Sequence, residues 1–122
     1  MAAPGQRDYS GIHLTYHALE RFVERFGATP FEAEGRLRDV LRRTRRLGKN
    51  PENGAIAALA LVGEKVLVAI LQGDSCLTVM TWNQFEPRLS EFGRPHPPRK
   101  WGRMLRRLAT DTEPTPESDT KN

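Results

Sequence analysis

His17, Glu20, Arg21 and Glu24 fall three, four and seven residues apart in the segment HALERFVER, with Arg25 at their margin. On an α-helix each residue turns about 100°, so this spacing gathers them on one side. An imidazole that titrates near neutral pH then stands beside two guanidinium groups and two carboxylates. Histidine can serve as general base or acid. Arginine can grip a phosphate with two parallel hydrogen bonds and steady charge in phosphoryl transfer. An ordinary solvated helix offers the same face, laced by ion pairs of about 0.3–0.5 kcal/mol each.

A second set of residues is cationic. Arg36, Arg38, Arg42, Arg43, Arg45 and Arg46 lie in one stretch of sequence, and Arg99, Lys100, Arg103, Arg106 and Arg107 in another. Arginine dominates over lysine, and its planar fork suits phosphate oxygens. A solvated basic face, or an acidic partner protein, accounts for the same charge. A third set closes the last apolar run. In an extended chain Thr78, Met80 and Trp82 point one way and Thr81 and Asn83 the other. Thr81 or Asn83 can donate to a phosphate, and Trp82 can stack on a base or cover a core.

Other chemistries find little support. His13 and His17 are four apart with Glu20 nearby, but His13 precedes the helix and no recognised metal motif is present. No metal site is expected. Neither phosphate-cradling glycine motif occurs, so no nucleotide cofactor is expected. The single cysteine, Cys76, opens an apolar run and reads as a small buried hydrophobe.

The elements that must position these residues follow from periodicity and caps. Ile12–Leu14 reads as a short strand. Thr15 is an N-cap, Leu19, Phe22, Val23 and Phe26 form an apolar stripe, and Gly27 stops the helix. Thr29-Pro30-Phe31-Glu32 has the form of a capping box with proline in the first turn. It predicts a second helix over 30–46, with Ala33, Leu37, Val40, Leu41 and Thr44 on one face and the arginines around the rest. Residues 49–54 read as a loop. AIAALALV, KVLVAILQ and CLTVMTW then read as three strands joined by turns at Gly63-Glu64 and Gly73-Asp74. The stretch after Trp82 is rich in proline and reads as irregular. Residues 100–109 predict a short basic helix. The expected fold is α+β: a short N-terminal strand, then two helices packed on one face of a three- to four-stranded antiparallel sheet, with a basic C-terminal segment. Residues 1–10 are expected to be flexible, 11–109 to form one domain, and 110–122 to be a disordered acidic tail.

Composition bounds the function. The 122 residues carry 19 basic and 15 acidic side chains, a net charge of +4. The tail holds four acids and one lysine, so residues 1–109 carry +7. A cationic body points to a polyanionic partner. Hydrophobic residues make up 38 % of the chain, and no apolar stretch reaches the roughly 20 residues of a membrane helix. No membrane association is expected. The start of the chain lacks the apolar core of a secretory leader, and a lone cysteine suits a reducing compartment, so the expected location is cytoplasmic.

The segment His17–Arg25 resembles the helix motif of small RelE-like domains, in which a short strand precedes the motif and a second helix, a loop and an antiparallel meander follow. The resemblance covers residues 11–83. It implies the fold shared by RelE-type toxins and metal-independent ribonucleases of the barnase–colicin group. In such enzymes a base activates a ribose 2′-hydroxyl against the adjacent phosphate. Carried onto this chain, it implies His17 as base or acid, Arg21 and Arg25 as phosphate ligands, and Thr81 as a polar contact from the sheet. No second histidine is placed as the complementary acid, since His96 lies among prolines.

Three readings of function follow. The first, which charge favours, is a small nucleic-acid-binding regulatory module acting on RNA or single strands. The second is a toxin-like, metal-independent ribonuclease. A third reading is an interaction protein, of mobile-element origin for instance, that docks an acidic partner such as an antitoxin or a larger machine. The oligomeric state is left open.

Overall fold

A computed structural model of the protein describes residues 6–93. The elements run β1 (Gln6–Arg7), β2 (His13–Leu14), α1 (Tyr16–Phe26), α2 (Ala33–Leu41), β3 (Thr44–Lys49), β4 (Ile56–Val62), β5 (Lys65–Gln72), β6 (Ser75–Thr81) and α3 (Trp82–Phe85). A 3-10 helix over Glu86–Phe92 follows. The six strands form one sheet in the order β1-β3-β4-β5-β6-β2. All neighbours are antiparallel except β2, which runs parallel to β6. The class is α+β. The sheet has more strands than expected and is mixed.

Helix α1 forms where its caps dictate. Thr15 is extended, its hydroxyl accepts from the Ala18 N–H at 3.1 Å, and Gly27 takes the left-handed conformation that closes the helix onto the Val23 carbonyl. Ala18, Phe22 and Phe26 are buried along its inner face. Gly63 and Gly73 both have positive φ and open the two-residue turns of the β4–β5 and β5–β6 hairpins.

The second helix is shorter than the 30–46 expected from sequence. Thr29 Oγ1 accepts from the Glu32 N–H at 3.4 Å, but Glu32 turns its carboxylate to Arg36 instead of back to the cap. Regular helix begins at Ala33 and ends at Leu41. Thr44–Lys49 then pairs with β4 on one side and with β1 on the other. Open edges of that ladder outcompete a continuation of the helix, because pairing satisfies backbone groups on both sides of the segment. Thr44 is fully buried and its hydroxyl donates to the Arg7 carbonyl at 2.9 Å. Arg45 and Arg46 therefore lie on a strand, not on a helix.

Strands β4 and β5 are apolar at almost every position because both of their faces are covered. Ala58, Leu67, Ala69 and Leu71 face α1 and α2 together with Cys76 and Val79. Ala57, Leu59, Val66, Val68 and Ile70 face the opposite way, with Leu47, against Trp82, Phe85, Leu89 and Phe92. The small cross-strand pair Ala58–Ala69 lets the helices approach the sheet closely. The expectation that helices cover one face alone is thus corrected. The stretch after β6, read as irregular, is a helical cover for the second face. Trp82 belongs to its first turn, not to the end of the strand, and is only 6 % exposed. Residues 6 and 7, read as flexible, form β1. The basic segment 94–107, with Arg99, Lys100, Arg103, Arg106 and Arg107, the helix expected over 100–109 and the tail 110–122 lie outside the described residues.

Burial pushes the Cys76 thiol up to about 12. An unfolded chain holds a cysteine near 8.5. The folded state thus keeps its proton longer. Stability from this group is complete below about pH 8.5 and is lost as pH rises through 12. In alkaline urea titrations the unfolding free energy of Cys76→Ala is expected to fall less steeply between pH 9 and 11 than that of the native chain. Equal slopes would refute the assignment.

Candidate nucleic-acid interface

The fold brings the arginines onto one side of the sheet in part and spends others on its own integrity. Arg38 is spent. Its Nη1 donates to the Ser10 and Ile12 carbonyls, each at 2.8 Å, while Nε and Nη2 meet Glu34. It ties the segment before β2 to α2. The Asp8 carboxyl, in the same segment, is held below the usual carboxylate range by the Ser10 hydroxyl and then the Ser10 N–H. Arg36 pairs with Glu32 at 3.2 Å and lies 5.9 Å from the centre of the Phe22 ring. Arg42 reaches Asp39 at 3.5 Å. These exposed pairs contribute little, about 0–1 kcal/mol each.

Arg43 and Arg46 are exposed. Among the described residues no ion pair or side-chain hydrogen bond engages either. Arg46 stands opposite Ala58, which faces the helices, so it shares the α2 side of the sheet. Arg45 stands opposite Leu59 and points to the other side. The six arginines of 36–46 therefore do not form one surface.

A groove of about 480 Å³ opens between α2 and the β4–β5 turn. Arg36, Asp39 and Val40 line it from one face of the helix, Arg43 from the bend that follows, and Leu61, Val62 and Gly63 from the β4–β5 hairpin. The three-residue step from Arg36 to Asp39 is readable from spacing, whereas Val40 reads as part of the apolar face and Arg43 as part of a helix that ends before it. The hairpin half is not readable, because nothing local in the sequence says which hairpin end lies beneath α2.

The face of α1 is differently used. His17 is exposed and one turn from Arg21, which pairs with Glu24 at 2.6 Å. Arg25 is turned inward: its Nη1 donates to the Val79 carbonyl of β6 at 2.8 Å. His17 and Arg25 are eight residues apart, about 12 Å along the axis. Thr81 caps α3, accepting from the Gln84 N–H at 3.3 Å while the Gln84 side chain accepts from the Thr81 N–H at 3.0 Å. The structure thus keeps His17 and Arg21 together and assigns Arg25 and Thr81 to local architecture. Trp82 is buried. Among the described residues the aromatic rings open to solvent are Tyr16 and Phe31, the latter 99 % exposed, and neither was singled out from sequence. Among the described residues no group of three His, Cys, Asp or Glu side chains is placed to hold a metal ion.

The bond from Arg25 covers a carbonyl on the side of β6 that β2, paired only at Ser75 and Cys76, leaves open. Arg25→Ala is expected to cost about 1–2 kcal/mol in urea unfolding while changing nucleic-acid affinity by less than twofold. A large loss of affinity at unchanged stability would return Arg25 to the binding surface.

Residues 6–93 hold 12 basic and 11 acidic side chains, so most of the positive surplus of the chain comes from 94–107. No helix among the described residues is long and apolar enough to cross a membrane. No protein-family model, curated protein or solved structure matches this chain.

Proposed function

We propose that the protein is a small nucleic-acid-binding regulatory module for RNA or single strands. The observation that carries this reading is the pair Arg43 and Arg46, exposed and unpartnered among the described residues on the α2 side of the sheet. On α2 itself, Arg36 and Arg38 are matched by acids or by carbonyls. A cation left unmatched beside a groove is available to a phosphate. The basic segment 94–107 adds charge of the same sign. The likeness to RelE-like domains forms part of the proposal. It is supported by the segment His17–Arg25 and by the order of strand, two helices and antiparallel meander.

The test is fluorescence anisotropy of the full chain with labelled RNA, single-stranded DNA and duplex DNA in EDTA at two salt concentrations. Salt-sensitive binding without cleavage is the expected result. Absence of binding to all three would overturn the reading and leave an acidic protein partner as the target of the cationic surface. A metal-independent ribonuclease is the second reading, favoured by His17 and Arg21 one turn apart on an exposed face. Cleavage of the RNA in EDTA that disappears in His17→Ala would establish it instead.

A further inference from the structure

We propose that the groove between α2 and the β4–β5 turn seats one unstacked guanine nucleotide of a single strand. The inference rests on the nucleic-acid reading above and makes it specific. The volume of about 480 Å³ falls in the range of roughly 300–1,000 Å³ typical of small-ligand sites.

The lining offers each part of a nucleotide a chemically suitable neighbour. Val40 and Val62 present apolar surface for the face of a base. Val62 is half-buried at the end of β4 and packs at the margin of the helix-side core, so part of its apolar surface is left uncovered. A flat ring laid against it removes that surface from water. Gly63 adds a wall without a side chain, and a Cβ built there meets nothing within 4 Å, so a ring has room beside the turn.

Polar groups set the orientation. Arg36 and Asp39 lie on α2, and Arg43 follows two residues past its end, so Asp39 falls between the two arginines in the chain. Arg43, unpartnered among the described residues, takes the phosphate. Arg36 is held by Glu32 and the Phe22 ring and acts as a fixed end wall. Asp39 accepts hydrogen bonds from the base. Its carboxylate has two acceptor oxygens and no donor. Guanine alone among the standard bases offers two adjacent N–H donors, N1–H and the 2-amino group, on its Watson–Crick edge. Adenine and cytosine place a ring-nitrogen lone pair beside their amino group, and uracil flanks its N–H with two carbonyls, so each sets an acceptor against the carboxylate. The contact of Asp39 with Arg42 is 3.5 Å long and exposed, and it yields readily to a better donor pair. In a duplex this edge is already paired, so the site requires an open strand.

The experiment uses the full chain and labelled oligouridine of about ten nucleotides, a length within the usual footprint of a small single-strand-binding domain, carrying one central guanine or one central adenine. The guanine strand is expected to bind about fivefold or more tightly than the adenine strand, the discrimination of one good bidentate contact. Asp39→Asn, at an exposed position, is expected to bring the two strands within twofold of each other. In methyl NMR spectra of the native chain, guanosine monophosphate is expected to shift Val40 and Val62, and adenosine monophosphate to leave them in place. Equal binding of both strands, unchanged in Asp39→Asn, would overturn the groove assignment and leave the nucleic-acid reading standing. Failure of every strand to bind would overturn both.

Discussion

Phe85→Ala is expected to cost about 3–5 kcal/mol, the range for deleting a fully buried aromatic ring. Natural domains are stable by about 5–15 kcal/mol in total, so this one change removes roughly a fifth of that or more. Phe85 is wholly buried on the face of the sheet opposite the two long helices. Its ring centre lies 6.1 Å from that of Trp82 and 5.2 Å from that of Phe92. Helix α3 has four residues, far too few to hold its shape alone, so its order comes from these contacts and from the capping box of Thr81 and Gln84. Loss of the ring leaves a cavity between two layers and loosens the cover over Leu47, Leu59 and Val68. Urea unfolding checks this directly: the midpoint should fall steeply while the slope stays constant. Leu77→Ala, at a site 36 % exposed, serves as comparison and should cost far less. A loss below about 1 kcal/mol for Phe85→Ala would mean that residues 82–92 do not belong to the core.

The double reversal Arg43→Glu with Arg46→Glu is expected to weaken binding to single-stranded nucleic acid by about tenfold to a hundredfold near 0.1 M salt. Each arginine on a phosphate releases a condensed counterion, and each lost contact lowers the dependence of log affinity on log salt by about 0.7 for a single strand. Two contacts removed should flatten that slope by about 1.4, and the new carboxylates add repulsion. Neither arginine holds another side chain among the described residues, so the fold should tolerate both changes. Arg88→Gln is the control. Arg88 lies in the 3-10 helix of the opposite cover, paired with Glu91 and set over Phe92, and its loss should change affinity by less than twofold. Equal effects from the two variants would place the nucleic acid elsewhere.

Several elements could be read from the residues alone, and the reasons are local. Thr15 and Gly27 bound α1 by cap chemistry. Gly63 and Gly73 mark hairpin turns because a positive φ at those positions suits glycine. The length of the apolar run Ala55–Val62 was enough to choose strand over helix. What escaped was decided at a distance. TRRLGK has no apolar alternation, and only its place beside β4 makes it a strand. The cover after β6 has no helical period and contains a proline, yet one signal for it was present. Two central strands apolar at almost every position require cover on both faces, and the two long helices supply one. The candidate site divides the same way. Arg36, Asp39 and Val40 share a helical face by spacing, whereas Arg43 and Leu61–Gly63 join them through the fold. The arginine count overstated the cationic surface because Arg38 turned out to be a brace, and the orientation of its guanidinium is a tertiary fact.

The parallel pairing of β2 with β6 has a kinetic consequence. His13 and Leu14 must find Ser75 and Cys76 across some sixty residues, whereas β4, β5 and β6 meet through two-residue turns. Closing the long loop costs more chain entropy than closing either hairpin and delivers only a two-residue ladder in return. Assembly should therefore start in the β4–β5–β6 meander and finish at the β2 edge. The last step to form should be the first to open. In native-state hydrogen exchange the amides of His13 and Thr15, bonded to the Asp74 and Cys76 carbonyls, are expected to exchange well before those of β5. Equal protection at both places would point instead to a single cooperative unit, with the edge strand committed as early as the centre.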